Sequence, residues 1–501
     1  MELSMQTTPL KFLRCVYHSI QTQEETAEPI VPDSEPDIDA VADCTANLIL
    51  REKDLRQGSA IISGKVMGTI LYLPEDGTHP RNLRCELPFS IRLEDPALTE
   101  HTVLAADLRV KSLDARVVNS RKAMLRVNIS VGVRGYEAVE EALAMPQADC
   151  PGLEVRAATT EVLLPLELGE RAYAIRDTLM LPGGYPAVAQ VYRCRCTPLI
   201  QEQKLVGRKA VFKGTLQCRV LYLGEDQALH RFAQEVPFSQ YLELEKEYDQ
   251  EQVEILPLLT ALSLEQEGEG DGLFLTASLL AQCLVRGTCT VQTIVDAYTT
   301  QGIFEPEWKT IPLAGCLDRQ SGMQTLRQVI AEPMGEIVDA EAYPDFPAQR
   351  REGEQVTVVA PVLCRVLGYD NNGVLHAYSC RAEGQQSFAL SGDAVCLPRA
   401  ELVQEPEATA TAGGTEVRCQ VKLDTAFYAG QDLRCLAGGT VEEEPRRERP
   451  SVILRSVLAG AELWELAKGC RASVDAIRAA NRMEGDVVPQ DALVLIPLGT
   501  E

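Results

Sequence analysis

Residues 61–73 read IISGKVMGTILYL, a run in which every second residue is apolar or small. That face consists of Ile62, Gly64, Val66, Gly68, Ile70 and Tyr72. A period of two residues is typical of a β-strand that buries one face and turns the other toward solvent. The run therefore predicts a half-buried strand of an antiparallel sheet, and Gly64 in its middle suggests a close approach of another backbone.

The same strand recurs further along the chain. At an offset of 150 residues and without a gap, LYLPED at residues 71–76 aligns with LYLGED at residues 221–226. A fainter third copy lies 146 residues beyond the second, where CRVL at residues 364–367 overlays CRVL at residues 218–221. Similarity at a nearly constant offset indicates tandem repeats of one structural unit.

Each copy continues with a polar loop and a second alternating strand. The loops read PEDGTHPRN, GEDQALHR and YDNNGVLH, and their Asp, Asn and Gly residues favour hairpins. The later strand of the first copy places on one face Ala123, Leu125, Val127, Ile129, Val131 and Val133. We therefore expect a mainly β protein with three antiparallel, β-sandwich-like repeats, at residues 21–145, 165–300 and 320–440.

Polar or mixed segments are expected to separate the units. They are MPQADCPG at residues 145–152, a mixed stretch at residues 304–321, and the charged linker VEEEPRRERP at residues 441–450. The linker leads into a C-terminal piece whose pattern differs from that of the repeats.

Charge and hydropathy limit the classes of partner. The 501 residues carry a net charge of −25, which argues against binding to nucleic acid or to an anionic membrane surface. No run approaches the roughly 20 apolar residues that a membrane-spanning helix needs. The N-terminal MELSMQTTPLKFLRC lacks the basic start and the apolar block of a secretory signal. We therefore expect a cytosolic protein that does not insert into a membrane.

No residue pattern in the sequence indicates catalysis or metal binding. The 16 cysteines are scattered without a CxxC pair, so most are expected to be small core residues with free thiols. Three of the five histidines, His79, His230 and His376, fall in the equivalent loop of each repeat, without metal ligands at suitable spacing. We therefore expect neither enzymatic activity nor a cofactor.

The last fifty residues predict a small βααβ module at residues 451–498. Its expected elements are a strand, two helices and a strand, at residues 453–458, 461–468, 474–480 and 493–496. This pattern resembles the LysM domain. The resemblance rests on Gly460, Leu463, Trp464, Ala467, Val474, Asn481, Pro489, Leu493, Ile496 and Pro497.

The LysM resemblance implies a groove that binds polymers containing N-acetylglucosamine, such as peptidoglycan. The usual Gly-Asp-Thr of the first loop is here Gly460, Ala461 and Glu462, and Gln490 replaces a usual glycine. These changes favour a protein partner, as do two arginines four residues apart near the second helix. The candidate residues of the groove or partner surface are Gly460, Glu462, Leu463, Trp464, Arg478, Asn481, Arg482 and Pro489.

The repeats carry a second resemblance. EPIVPDSEPDIDA at residues 28–40, followed by a long strand that ends in LYL and then by a PFS element, resembles the SPOCS domain. Several such repeats followed by one LysM domain are the architecture of SipL-type spore coat proteins of endospore-forming bacteria. The resemblance implies a non-enzymatic scaffold in the mother-cell cytoplasm, which joins the coat to the forespore surface through a coat-organising ATPase or another coat protein.

The alternative is an envelope or cortex protein that binds peptidoglycan through its LysM domain. The lack of a secretory signal favours the scaffold, because a cytosolic protein meets no external wall.

Overall fold

The computed structural model describes residues 6–145, 152–249, 251–266, 272–390, 392, 394–442 and 450–498. It is mainly β, with 78% strand and two short helices, so the fold class predicted from the sequence is confirmed at that level. Two of the predicted separators, residues 145–152 and 441–450, lie almost wholly outside the described residues.

The first repeat contains two three-stranded antiparallel sheets. Its strands are β1 (Thr7–Ala27), β2 (Ile38–Arg56), β3 (Ser59–Pro74), β4 (Arg81–Glu94), β5 (Val103–Asn119) and β6 (Lys122–Ala144). One sheet has the order β2-β3-β4 and the other the order β1-β6-β5. The inner faces of both sheets contribute to one hydrophobic core, in which β3 and β6 are the central strands.

The second repeat follows the same plan with longer strands. They are β7 (Leu153–Met180), β8 (Val188–Gly224), β9 (Leu229–Tyr248), β10 (Gln252–Gln266) and β11 (Gly272–Thr299). The sheets are β8-β9 and β10-β11-β7. At the offset of 150 residues, the single strand β8 covers the positions of both β2 and β3.

The third repeat has the same organisation, although its sequence is the most divergent. Its strands are β12 (Ile303–Ile330), β13 (Glu336–Pro344), β14 (Ala348–Glu352), β15 (Gln355–Tyr369), β16 (Leu375–Ala389), β17 (Val395–Thr411) and β18 (Gly414–Glu442). One sheet is β12-β18-β17, and in the other β15 pairs with β13, β14 and β16. The mixed stretch at residues 304–321, expected to precede this repeat, is part of β12, because it pairs with β18 along its whole length.

The C-terminal module has the predicted βααβ order. Its elements are β19 (Val452–Val457), α1 (Leu463–Cys470), α2 (Val474–Asn481) and β20 (Ala492–Pro497). The two strands pair antiparallel, and both helices pack into a core of their own with Leu463, Ile477 and Val494.

The predicted inward faces are buried. Ile62, Val66, Ile70 and Tyr72 of β3 have no exposed surface, and the predicted face of β6 is at most 1% exposed. The three polar loops join antiparallel partners, as hairpins require. At Gly64 a Cβ atom would collide with the carbonyl oxygen of Ile49, which confirms the predicted close backbone approach.

The outward faces of the same strands are buried in part, contrary to expectation. Leu71, Leu221 and Leu367 occupy equivalent positions of the three repeats and share one apolar cluster. Thr215 and Arg219 alternate with the apolar residues of β8, and they are only 7% and 4% exposed. The physical reason is contact between repeats, which buries residues on the outer side of the sheets that contain β3, β8 and β15.

Candidate functional site

The C-terminal module is attached to the second repeat through Tyr298, near the end of β11. The Tyr298 ring meets the Trp464 indole edge to face, with ring centroids 5.0 Å apart. Its hydroxyl donates a hydrogen bond to the carbonyl oxygen of Ala472 at 2.8 Å. Tyr298 is therefore part of the module's own core, and burial raises the pKa of its hydroxyl.

Asp296 is the polar counterpart of this anchor. Its carboxylate accepts hydrogen bonds from Trp464 Nε1 at 2.8 Å and from Lys468 Nζ at 2.7 Å. Burial alone would raise the pKa of Asp296, but Lys468 and Trp464 outweigh that effect and hold it below the ordinary value. A third contact joins Arg156 of β7 to Glu462 at 2.9 Å. The junction thus holds the start of α1 against the second repeat.

The first loop and α1 carry four of the candidate residues. Gly460 has a φ of 87°, which glycine adopts without steric cost. Leu463 is fully buried, so it supports the module's core and offers no surface to a ligand. Glu462 and Trp464 contact the second repeat as described. Trp464, a candidate for contact with a ligand or partner, therefore packs against β11 of this chain.

The other candidates lie around α2. The Asn481 side chain donates to the carbonyl oxygens of Ile477 and Leu495, and accepts from the Leu495 amide at 2.8 Å, so it ties α2 to β20. Arg478 is held between Asp475 and Asp486.

The remaining two candidates are exposed at the surface of the module. Arg482 follows the last turn of α2 with a φ of 53°, and Pro489 lies in the loop before β20.

The opposite side of the module exposes an apolar surface that the sequence analysis missed. The helices cover one face of the two-stranded sheet, and on the other face Leu454 and Leu493 remain 60% and 64% exposed. Leu458, just beyond β19, is 73% exposed, and Val452 lies beside Pro497 at the start of the sheet. We call these four residues the outer face. Its signal was the continuous apolar run of β20 together with the apolar start of β19, since a sheet covered on one side buries only alternate residues.

A second set of polar residues lies where the three repeats meet. The Arg193 guanidinium of β8 is bonded to Asp43 of β2 and, through Nη2 at 2.6 Å, to Asp339 of β13. Arg365 of β15 donates to Asp43 Oδ1 at 2.8 Å. These side chains are between 3% and 11% exposed. We call this arrangement the central ion network.

The network residues occupy equivalent places in the repeats. Residues 43 and 193 lie 150 apart, and residues 193 and 339 lie 146 apart, which are the offsets that align the three copies. Burial alone would raise the pKa of Asp43, but Arg193 and Arg365 outweigh it and hold that pKa below its ordinary value. Opposite charges at one aligned position of an otherwise apolar strand were the signal that could have revealed the network.

Neither arrangement is a metal centre. In the described part of the chain, no group of three or more His, Cys, Asp or Glu side chains is placed to hold a metal ion. The fourteen cysteines whose side chains the structure describes are free, and burial raises the pKa of the Cys44 thiol to about 12. No helix among the described residues is long and apolar enough to cross a membrane.

Comparison with protein families gives a match to part of the chain. The family described as SipL, SPOCS domain, matches residues 37–118 and 187–262. Both segments are SPOCS domains. No curated protein and no solved structure matches the chain.

The SPOCS segments cover equivalent elements of two repeats. The first runs from β2 to β5, and the second runs from β8 into β10. Asp43 and Arg193 of the central ion network therefore lie within the SPOCS domains, whereas the long flanking strands of each repeat lie outside them. The third repeat and the C-terminal module lie outside both matches, so the LysM identity of the module stays a prediction from its residues.

Proposed function

We propose that this chain is a non-enzymatic scaffold of spore coat assembly, acting in the mother cell at the forespore surface. Its SPOCS domains associate it with sporulation. The central ion network and the shared apolar cluster support the interpretation of the three repeats as one stiff, sandwich-like platform. In this proposal the platform carries the LysM-like module, which docks a protein partner.

The observation that carries the proposal is the outer face of the module. Leu454, Leu458 and Leu493 are each at least 60% exposed on one small domain. Contiguous exposed apolar side chains on a soluble protein mark sites of association. A partner that covers them would gain about 25 cal/mol for each Å² of apolar surface removed from water.

The contacts of the predicted groove argue against glycan binding as the main role. Glu462 and Trp464 are engaged by Arg156 and Asp296 of the second repeat. Asn481 uses its amide to hold α2 against β20. A sugar polymer would have to replace these contacts before it could occupy the groove.

The proposed occupant of the outer face is a coat protein with a complementary apolar surface. The coat-organising ATPase implied by the resemblance is the first candidate. The test is a pull-down from sporulating lysate with the full chain and with a Leu454→Asp/Leu493→Asp variant. We expect the double change to abolish recovery of the ATPase, because it places two charges in the contact.

A matched control is available in the repeats. Met180→Asp/Met323→Asp changes two apolar residues that are 58% and 56% exposed outside the module, and it should leave recovery intact. Equal recovery by all three proteins would refute the proposed outer-face contact.

A second arm separates the scaffold from the glycan-binding alternative. The full chain is titrated with chitin oligomers, alone and as the Arg478→Glu/Arg482→Glu variant. We expect no micromolar binding by either protein. Micromolar binding that the double change removes, with ATPase recovery unaffected, would replace our proposal with peptidoglycan binding.

A further inference from the structure

A large open cleft lies between the second repeat, the third repeat and the C-terminal module. Its volume is about 950 Å³, at the upper end of the range for ligand sites. β7 and β11 form one wall, β12 and β18 form another, and α1 closes one end. The cleft is distinct from the outer face, and its lining includes none of the candidate groove residues.

Four basic side chains line this cleft. They are Arg156, Arg434, Lys468 and Arg471. Two carboxylates offset part of this charge, because Asp296 in the lining is bonded to Lys468 and Glu462 beside the cleft is bonded to Arg156. In a chain with a net charge of −25, a cavity with this excess of positive charge is a local exception.

Arg434 is the most informative of the four. Its guanidinium lies over the Trp308 ring, 4.6 Å from the ring centroid, which fixes its orientation. Within the described residues, no hydrogen bond or ion pair occupies its N–H groups. Stacking on the face of a ring leaves the planar fork of arginine available to an oxyanion, which it can bind with two parallel hydrogen bonds.

From these contacts we propose that the cleft binds a carboxylate-rich peptide segment of a partner protein. Arg434 supplies a fork that matches a carboxylate, and Phe304, Pro306 and Trp308 supply apolar surface for the peptide between its charges. The open shape and the volume suit an extended segment better than a single small anion. This site does not depend on the role proposed for the outer face.

The probe is a fluorescently labelled oligo-glutamate peptide, and its binding to the full chain is measured by anisotropy at two ionic strengths. The overall negative charge repels such a peptide, so binding requires a local positive site. Arg434→Gln should weaken binding about tenfold, the usual effect of losing a charge-assisted hydrogen bond. Added salt should weaken it as well.

The matched control is Arg327→Gln, which removes an exposed arginine from the other end of β12 and should leave the affinity unchanged. Absence of binding by the unmodified chain, or equal affinity of the Arg434→Gln variant, would overturn the proposal. Displacement of the peptide by inorganic phosphate at millimolar concentration would reassign the cleft to a small anion.

Discussion

The two junctions of the molecule use the same chemistry at very different depths. At the central ion network, Asp43 is bonded to Arg193, and their side chains are 3% and 6% exposed. At the module junction, Asp296 is bonded to Lys468, and their side chains are 25% and 41% exposed. Water competes for the second pair and hardly reaches the first, so we expect a permanent contact between repeats and a releasable contact at the module.

The largest effect should come from breaking the central network. Asp43→Asn keeps the size of the side chain but removes the charge that faces Arg193 and Arg365. Removing one partner of a buried ion pair costs about 3–5 kcal/mol, because the remaining charge is left uncompensated. The free energy of unfolding, measured by urea denaturation, should fall by that amount.

The control for this change is Asp54→Asn on the same strand. Asp54 pairs with Arg56 at 3.0 Å, and these side chains are 38% and 72% exposed. Its loss should cost less than about 1 kcal/mol. If both substitutions cost the same, depth of burial does not separate the network from a surface pair.

Lowering the pH should reduce the free energy of unfolding by an intermediate amount. Arginine neighbours hold the pKa values of Asp43 and Asp339 below the ordinary value, despite the opposing effect of burial. Such carboxylates stabilise the fold above the pKa of the unfolded chain, near 4, and that stability is lost as the pH falls through the lower folded pKa. Unfolding of the native chain should therefore become easier below about pH 5.

The measurement is the urea midpoint between neutral pH and the acid range, for the native chain and for Asp43→Asn. The variant should show the weaker dependence on pH, since it has one such carboxylate fewer. Parallel curves for the two proteins would show that Asp43 contributes nothing to the acid response.

The smallest effect should come from the module junction. Asp296→Asn removes the charge that holds Lys468 and weakens the bond from Trp464 Nε1. Because this pair is partly exposed, the cost should be about 1 kcal/mol. Hydrogen exchange should increase in α1 and in the end of β11, and the repeats should stay protected.

Glu161→Gln is the matched control, because it removes an exposed carboxylate of β7 in the same repeat. It should leave exchange in α1 unchanged. Loss of protection throughout the repeats of Asp296→Asn would show that the module junction supports the whole fold, contrary to the comparison.

Local pattern predicted much of each repeat. The alternation around Val66 and Ile129 identified strands and their inward faces, because burial of one face has a period that is visible within a few residues. The same pattern failed for Arg219, whose guanidinium is bonded to Ala340 and Glu405 of the third repeat. Those contacts join positions far apart in the chain, so the alternation within a single strand cannot predict them.

The long flanking strands of the repeats were harder to predict than the inner strands. The flanking strands β1, β7 and β12 begin at residues 7, 153 and 303, ahead of the limits at 21, 165 and 320 inferred from the sequence. Their polar and apolar residues alternate weakly, and pairing with the last strand of the repeat defines them. In the module, order and helix positions were predictable, whereas the docking of Trp464 on Tyr298 depended on an element 166 residues away in the chain.

The equivalence of residues 43, 193 and 339 has a consequence for the order of the repeats. A ring of three identical subunits presents the same side chain three times to its centre, so it would gather three like charges there. This chain instead places aspartate, arginine and aspartate at that position. Repeats with divergent sequences can do so, whereas identical subunits cannot. The charge at this position therefore fixes the place of each repeat in the chain. Exchanging the second repeat with either neighbour would require the charges at this position to be exchanged as well.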